Sequence, residues 1–136
     1  KINTHFSFSI KIDSLYNVHQ YAKAGLMIRK SLNSNSAHGL INMFPSGNTE
    51  FGYRTGNGET MKAKSGPQID LKNARLKIIK SGKIIEFFVL SSNDWQKLGE
   101  LNIAKWGKSF YVGIATLSHD NSQLTKAQYS EIVLTD

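Results

Sequence analysis

The sequence predicts an all-β fold, an antiparallel two-sheet sandwich of jelly-roll type. Three observations predict it. Apolar residues alternate with polar ones at a period of two in several segments, and Gly, Asn, Ser and Pro clusters punctuate the chain at short, even intervals. No amphipathic stretch reaches the roughly 10 to 12 residues a helix needs. At 136 residues the chain is the size of one domain and long enough to bury a core without staples. The expectation is one domain over residues 1–136, cut or processed from a longer protein, because the sequence begins at Lys1 with neither an initiator methionine nor a signal-peptide pattern.

The elements follow in order. Residues 6–13 alternate Phe6, Phe8, Ile10 and Ile12 with Ser7, Ser9, Lys11 and Asp13, the cleanest strand in the chain. After turn formers at Asp13, Ser14 and Asn17, residues 22–30 place Ala24, Leu26 and Ile28 on one face and Gly25, Met27 and Arg29 on the other. The polar run 32–37 turns the chain into 38–44, and Pro45, Ser46, Gly47 and Asn48 break it into 50–55, giving two hairpins. Gly56, Asn57 and Gly58 make another turn, and 56–74 reads as loop-rich. Residues 75–80 and 83–90 form the strongest hairpin around Ser81-Gly82. Segments 95–103, 110–118 and 127–134 complete a set of about nine strands.

Composition narrows the chemistry. With no cysteine there are no disulfides, thiolate metal sites or cysteine nucleophiles. No apolar run approaches the roughly 20 residues of a membrane-spanning helix. The formal charge of +7 favours encounter with polyanions, but the lysines are scattered as on a solvated surface, and nucleic acid is not the expected partner.

Five segments carry a family resemblance: AKAGLMIRKSL over 22–32, His38, FGYR over 51–54, RLKIIKSGK over 75–83 and YVGIATLSHDN over 111–121. Together they resemble the bacterial enolase-regulator-like domain family of the concanavalin A-like lectin/glucanase superfamily. The resemblance implies a curved jelly roll, lectin-like, attached to secreted or cell-surface carbohydrate-active proteins as a carbohydrate-binding accessory module. Two departures stand out. Family members carry further strand sequence before the point where Lys1 starts, and the family's S-D-G-x-x-W turn is shortened here to Ser91-Ser92-Asn93-Asp94-Trp95.

Carbohydrate binding needs flat aromatic faces and a few planar polar groups over a shallow groove. If Ala24, Leu26 and Ile28 face the core, then Gly25, Met27 and Arg29 face outward, with Gly113 and Ala115 on the same surface. Small residues there either leave room for a ligand or relieve crowding in a twisted strand. Arg29, with its planar fork of donors, suits a carboxylate, a sulfate or a hydroxyl pair, or else an internal salt bridge. His38 and Arg54 occupy family-matching positions on neighbouring segments, and His119 closes the 111–121 motif at a strand end. Trp106, in the polar Lys105-Trp106-Gly107-Lys108, is expected to expose its ring for stacking, whereas Trp95 is expected to pack in the core or under a loop. The ligand-binding candidates are therefore Arg29, His38, Arg54, His119 and Trp106, the partner being a glycan or polysaccharide, neutral or acidic.

Catalysis is not expected. Glycosidases need two carboxylates about 5 to 10 Å apart, and here Glu86 stands alone in its strand while the other acids fall mainly in turns or at strand ends. Adjacent Ser118, His119 and Asp120 point in opposite directions on an extended chain and cannot form a relay. The four histidines lack metal-ligand spacing. A structural calcium would draw on Asp94, Asp120, Asn121 or Asp136, though no compact acidic loop gathers them. The alternative to glycan binding is an assembly role, with an open sheet edge pairing with a second copy or with the parent protein, and a third, less favoured reading is a glycoside hydrolase with dispersed carboxylates.

Overall fold

The computed structural model describes residues 5–17, 19–118 and 124–135. Among the described residues there are ten strands: β1 (His5–Leu15), β2 (Lys23–Arg29), β3 (His38–Met43), β4 (Thr49–Arg54), β5 (Lys62–Ser65), β6 (Ala74–Ser81), β7 (Ile84–Ser91), β8 (Asp94–Asn102), β9 (Tyr111–Leu117) and β10 (Ala127–Thr135). Single 3₁₀ turns at Leu71–Asn73 and Ala104–Trp106 precede β6 and follow β8. The strands form two five-stranded sheets, ordered β10-β1-β6-β7-β8 and β5-β4-β3-β2-β9. Every pairing is antiparallel. The chain passes between the sheets at β1–β2, β5–β6, β8–β9 and β9–β10, as a jelly-roll sandwich requires. The fold class expected from the sequence is the one observed.

Alternation puts Phe6, Phe8, Ile10 and Ile12 of β1 inside with Leu76 and Ile78 of β6 and Ile85, Phe87 and Val89 of β7. From the other sheet, Leu26, Ile28, Ile41, Met43 and Phe51 meet them. Phe51 is the keystone of the contact, its ring 4.5 Å from Phe87 and 5.0 Å from Tyr53.

Two irregularities re-aim side chains. In β8 the register passes from Gly99 opposite Phe87 to Lys97 opposite Phe88, so Leu98 is an extra residue. This bulge lets Leu98 and Leu101, an odd number of positions apart, both point into the core. In β10 the bulge falls near Glu131, which takes a positive φ of 48° and reaches Arg75 of β6 at 2.6 Å. The β7–β8 connection is a two-residue turn with both Ser92 and Asn93 at positive φ, the geometry whose twist suits a tight hairpin.

The tenth strand, β5, lies inside the segment expected to be loop-rich. Its residues are all exposed, and Lys62-Ala63-Lys64-Ser65 carries no apolar alternation to announce a strand. It is held by backbone pairing to β4. β1 is flanked on both sides, by β10 and β6, so the sheet edges among the described residues are β5, β8, β9 and β10.

Candidate functional site

The solvent-facing side of the β5-β4-β3-β2-β9 sheet is built in cross-strand rows. Because Ala24, Leu26 and Ile28 are buried in the core, Gly25, Met27 and Arg29 point outward, and the register carries that parity across the sheet. One row reads Tyr111, Arg29, His38, Arg54; the next Gly113, Met27, Leu40, Gly52, Ala63; the third Ala115, Gly25, Asn42, Glu50, Ser65. Gly113 and Ala115 thus line the same surface as Gly25 and Met27, as the sequence predicted. The outward side chains of β3, His38, Leu40 and Asn42, are nonetheless buried. They form the bottom of a trough.

Three of the expected site residues meet in the first row. Arg29 pairs with His38, and His38 pairs with Arg54. Their hydrogen bonds, however, run into the protein. Arg29 Nε donates to the Ser31 carbonyl at 3.0 Å and its terminal nitrogen to the Asn33 carbonyl. Arg54 Nε donates to the Glu59 carbonyl at 2.7 Å, and its Nη1 reaches the Ser34 and Ser36 carbonyls. No carboxylate pairs with either guanidinium among the described residues. Their main work is to pin the 31–36 and 55–59 connections over this end of the face.

His38 is 8 % exposed. Its Nδ1 lies 3.1 Å from the Ser36 carbonyl, which can only accept, so Nδ1 carries a proton and Nε2 is the titrating nitrogen. Burial pushes its pKa below the ordinary imidazole value, opposed in part by the Ser36 bond, and the charges of Arg29 and Arg54 push it further down.

The tryptophan expectations reverse. Trp106 is 7 % exposed and belongs to the core, because the 3₁₀ turn after β8 curls its ring inward beneath its polar neighbours. It is unavailable for stacking on a ligand. Trp95, expected inside, is 38 % exposed: it pairs with Leu90 on the outer face of the other sheet, where Lys77 Nζ sits 4.2 Å from its ring centroid. His119, with Asp120 and Asn121, lies outside the described residues, as does Asp136.

At the other end of the trough, beyond the third row, the face opens into a cleft of about 800 Å³ between the β1–β2 connection, the β3–β4 turn and the end of β5. Tyr21 and Phe44 supply its rings, edge to face at 5.8 Å. Lys23 Nζ stands 3.4 Å from Glu50 Oε1 and 5.8 Å from the Phe44 centroid. Gln20 and Asn48 add amides. None of these residues is among the five ligand-binding candidates read from the sequence. Each looks ordinary in its own segment, and only pairing of β2, β3 and β4 brings them together.

The carboxylates are less scattered than the sequence suggested. Glu86 and Glu100 are direct cross-strand partners on β7 and β8. Both bind Lys97, whose ammonium is held above the usual lysine range by them. They lie on an open sheet face rather than in a cleft, and the shared lysine offsets one of their two charges. Among the described residues no three His, Asp or Glu side chains are grouped to hold a metal ion.

No protein-family model matches the sequence, and no curated protein matches it. Solved structures do. A protein of unknown function from Saccharomyces cerevisiae superposes with a TM-score of 0.70 at 13% identity, over 98% of this chain and 70% of its own. The K247S mutant of the GH43 protein BlXynB from Bacillus licheniformis gives 0.70 at 14% identity, over 95% of this chain and 27% of that one. Bacteroides ovatus Xyloglucan PUL GH43B gives 0.65 at 14% identity, over 93% of this chain and 27% of that one. The likeness is one of β-sandwich fold and does not extend to the enolase-regulator-like family. This chain spans about a quarter of the length of the two GH43 chains it matches.

Proposed function

We propose that the chain is a non-catalytic glycan-binding module whose ligand lies in the trough of the β5-β4-β3-β2-β9 sheet. One observation carries this reading: two glycines on that face have no structural reason to be glycine. Gly25 has one, since a Cβ there would stand 2.0 Å from the Ile41 carbonyl oxygen. A Cβ at Gly113 would meet nothing within 4 Å, and one at Gly52 nothing closer than 3.7 Å. Neither takes a positive φ. Glycine in a strand gives up packing and β-propensity, so two such positions in a single cross-strand row are explained by keeping the trough shallow for an occupant. The row is continued by Ala63, and a flat strip of backbone and small side chains is what a sugar chain can lie on.

A sandwich of this shape also makes up about a quarter of two GH43 chains, which supports an accessory role within a larger protein. Arg29 and Arg54 then form the polar rim of the trough, acting chiefly through the loops they hold, and His38 between them lies at its bottom. The test is Gly113→Phe. The variant should melt at or above the parent temperature, since an aromatic residue suits an edge strand, while retardation in polysaccharide gels is abolished. Unchanged retardation by a polysaccharide that binds the parent would remove the trough from the site.

The assembly reading is favoured by one feature. Edge strand β10 shows Ile132, Val133 and Leu134 about half exposed, an apolar edge open to pairing. A dimer in analytical ultracentrifugation, dissociated by Val133→Lys and lacking glycan binding, would support that role instead.

A further inference from the structure

Resting on the glycan-binding reading, we infer that the cleft at the β3–β4 end of the trough is a separate subsite for a neutral, uncharged sugar ring, and that the protein's positive charge plays no part in selecting its ligand. The cleft's volume, about 800 Å³, is within the range of small-molecule sites. Tyr21, about half exposed, and Phe44 set two aromatic faces nearly perpendicular, the corner into which the C–H face and edge of a pyranose ring fit.

The polar groups decide the ligand's charge. Among the described residues the only charged ones lining the cleft are Lys23 and Glu50, and they pair with each other. Each is about three-quarters buried, with side-chain exposures of 25% and 24%. Their separation of 3.4 Å is long for a charge-assisted hydrogen bond, so the pair leaves donors on Lys23 and acceptor lone pairs on Glu50 for a third party. Adjacent hydroxyls of a sugar meet both needs at once, each donating to Glu50 or accepting from Lys23. A uronate or sulfate would face the Glu50 carboxylate at close range and gain from only one ammonium, already neutralised. The guanidiniums that would suit an acidic sugar, Arg29 and Arg54, sit at the opposite end of the face and bind loop carbonyls. The net charge of +7, set by lysine and arginine together, therefore lies outside the cleft.

Affinity electrophoresis tests this with the full chain and with Tyr21→Ala, Glu50→Gln and Gly113→Phe. Gels are cast with neutral arabinoxylan, mixed-linkage β-glucan or galactomannan, and with polygalacturonate or heparin, each at 50 and 500 mM NaCl, with far-UV circular dichroism confirming that every variant is folded. The expected result is retardation by a neutral polymer, changed less than about twofold by salt because no counterion is released. Tyr21→Ala should weaken it about fivefold, and Glu50→Gln about tenfold, the loss of one charge-assisted bond. Retardation only by the acidic polymers, abolished at 500 mM NaCl, overturns the inference. So does loss of binding in Gly113→Phe with Tyr21→Ala and Glu50→Gln behaving as the parent, a result that leaves the trough reading standing. No retardation in any gel overturns both.

Discussion

Replacing Trp106 by alanine should remove a large part of the stability of this sandwich. The side chain is 7 % exposed and packed in the central cluster, although Lys105, Gly107 and Lys108 around it are all exposed. Burying an indole removes about 200 Å² from water, worth about 5 kcal/mol at about 25 cal/mol per Å². Measured Trp→Ala changes in cores cost about 3–5 kcal/mol. For a chain of this length each kcal/mol moves the melting temperature by about 3–5 °C, so Trp106→Ala should melt roughly 10–20 °C below the parent. Trp106→Phe, which keeps most of the apolar volume, should recover about half of that loss. Thermal melts and urea titrations followed by far-UV circular dichroism measure both. A tryptophan on an exposed loop would change stability by less than about 0.5 kcal/mol. A drop in melting temperature below about 3 °C would therefore refute the burial of Trp106 and return it to the surface.

Three further outcomes follow from the packing. Gly99→Ala would place a Cβ 2.5 Å from the Phe51 ring, which is wedged between Phe87 and Tyr53 and cannot retreat, so it should cost about 1–3 kcal/mol in urea titrations, whereas Gly113→Ala should cost nothing. His38 should give the fold an acid-sensitive component. With its folded pKa below the unfolded value near 6.5, the unfolded chain takes up the proton first as pH falls, so stability is fully present above about pH 7, declines below about 6.5 and levels off beneath the folded pKa. The urea midpoint measured from pH 7.5 to 5 should fall less steeply in His38→Gln; an identical slope would contradict this. Asn42 is fully buried with neither amide atom hydrogen-bonded, so Asn42→Leu should raise the melting temperature by about 3 °C, and a lower one would show that the amide is satisfied in solution.

How legible the chain was depends on which residues are asked about. Strict alternation in 6–13 made that strand readable, while 75–90 was readable from its β-branched and aromatic content and its Ser81-Gly82 turn, although Ile79, Ile84, Phe88 and Leu90 there fall on the face away from the core. Leu98 and Leu101 break that period, and the bulge that reconciles them is a property of pairing with β7 rather than of β8 alone. β5 exists through backbone bonds to β4, which side-chain patterns do not record. The row of Arg29, His38 and Arg54 was foreseeable from strand order, but not the carbonyls that occupy the arginines, because these belong to loops whose path over the face is set by tertiary contacts. The tryptophans were misjudged from their neighbours. A polar setting does not show which way a 3₁₀ turn will swing its ring, and a position after a turn does not fix which face of a sheet it joins. The cleft is the extreme case, assembled from Asn17, Gln20, Tyr21 and Lys23 together with residues of 44–50 and 65–66.

The placement of the two tryptophans has a practical consequence for anyone following this protein by optical methods. The chain contains two indoles, one sealed in the core and the other on the outside of the β10-β1-β6-β7-β8 sheet beneath Lys77. Neither lies on the face that carries the trough and the cleft. Emission excited at 295 nm will therefore report unfolding through Trp106 and iodide access through Trp95, and will stay silent when that face is occupied. An unchanged spectrum on adding a saccharide is the expected signature of binding there, and tyrosine emission from Tyr21 is the intrinsic signal to watch.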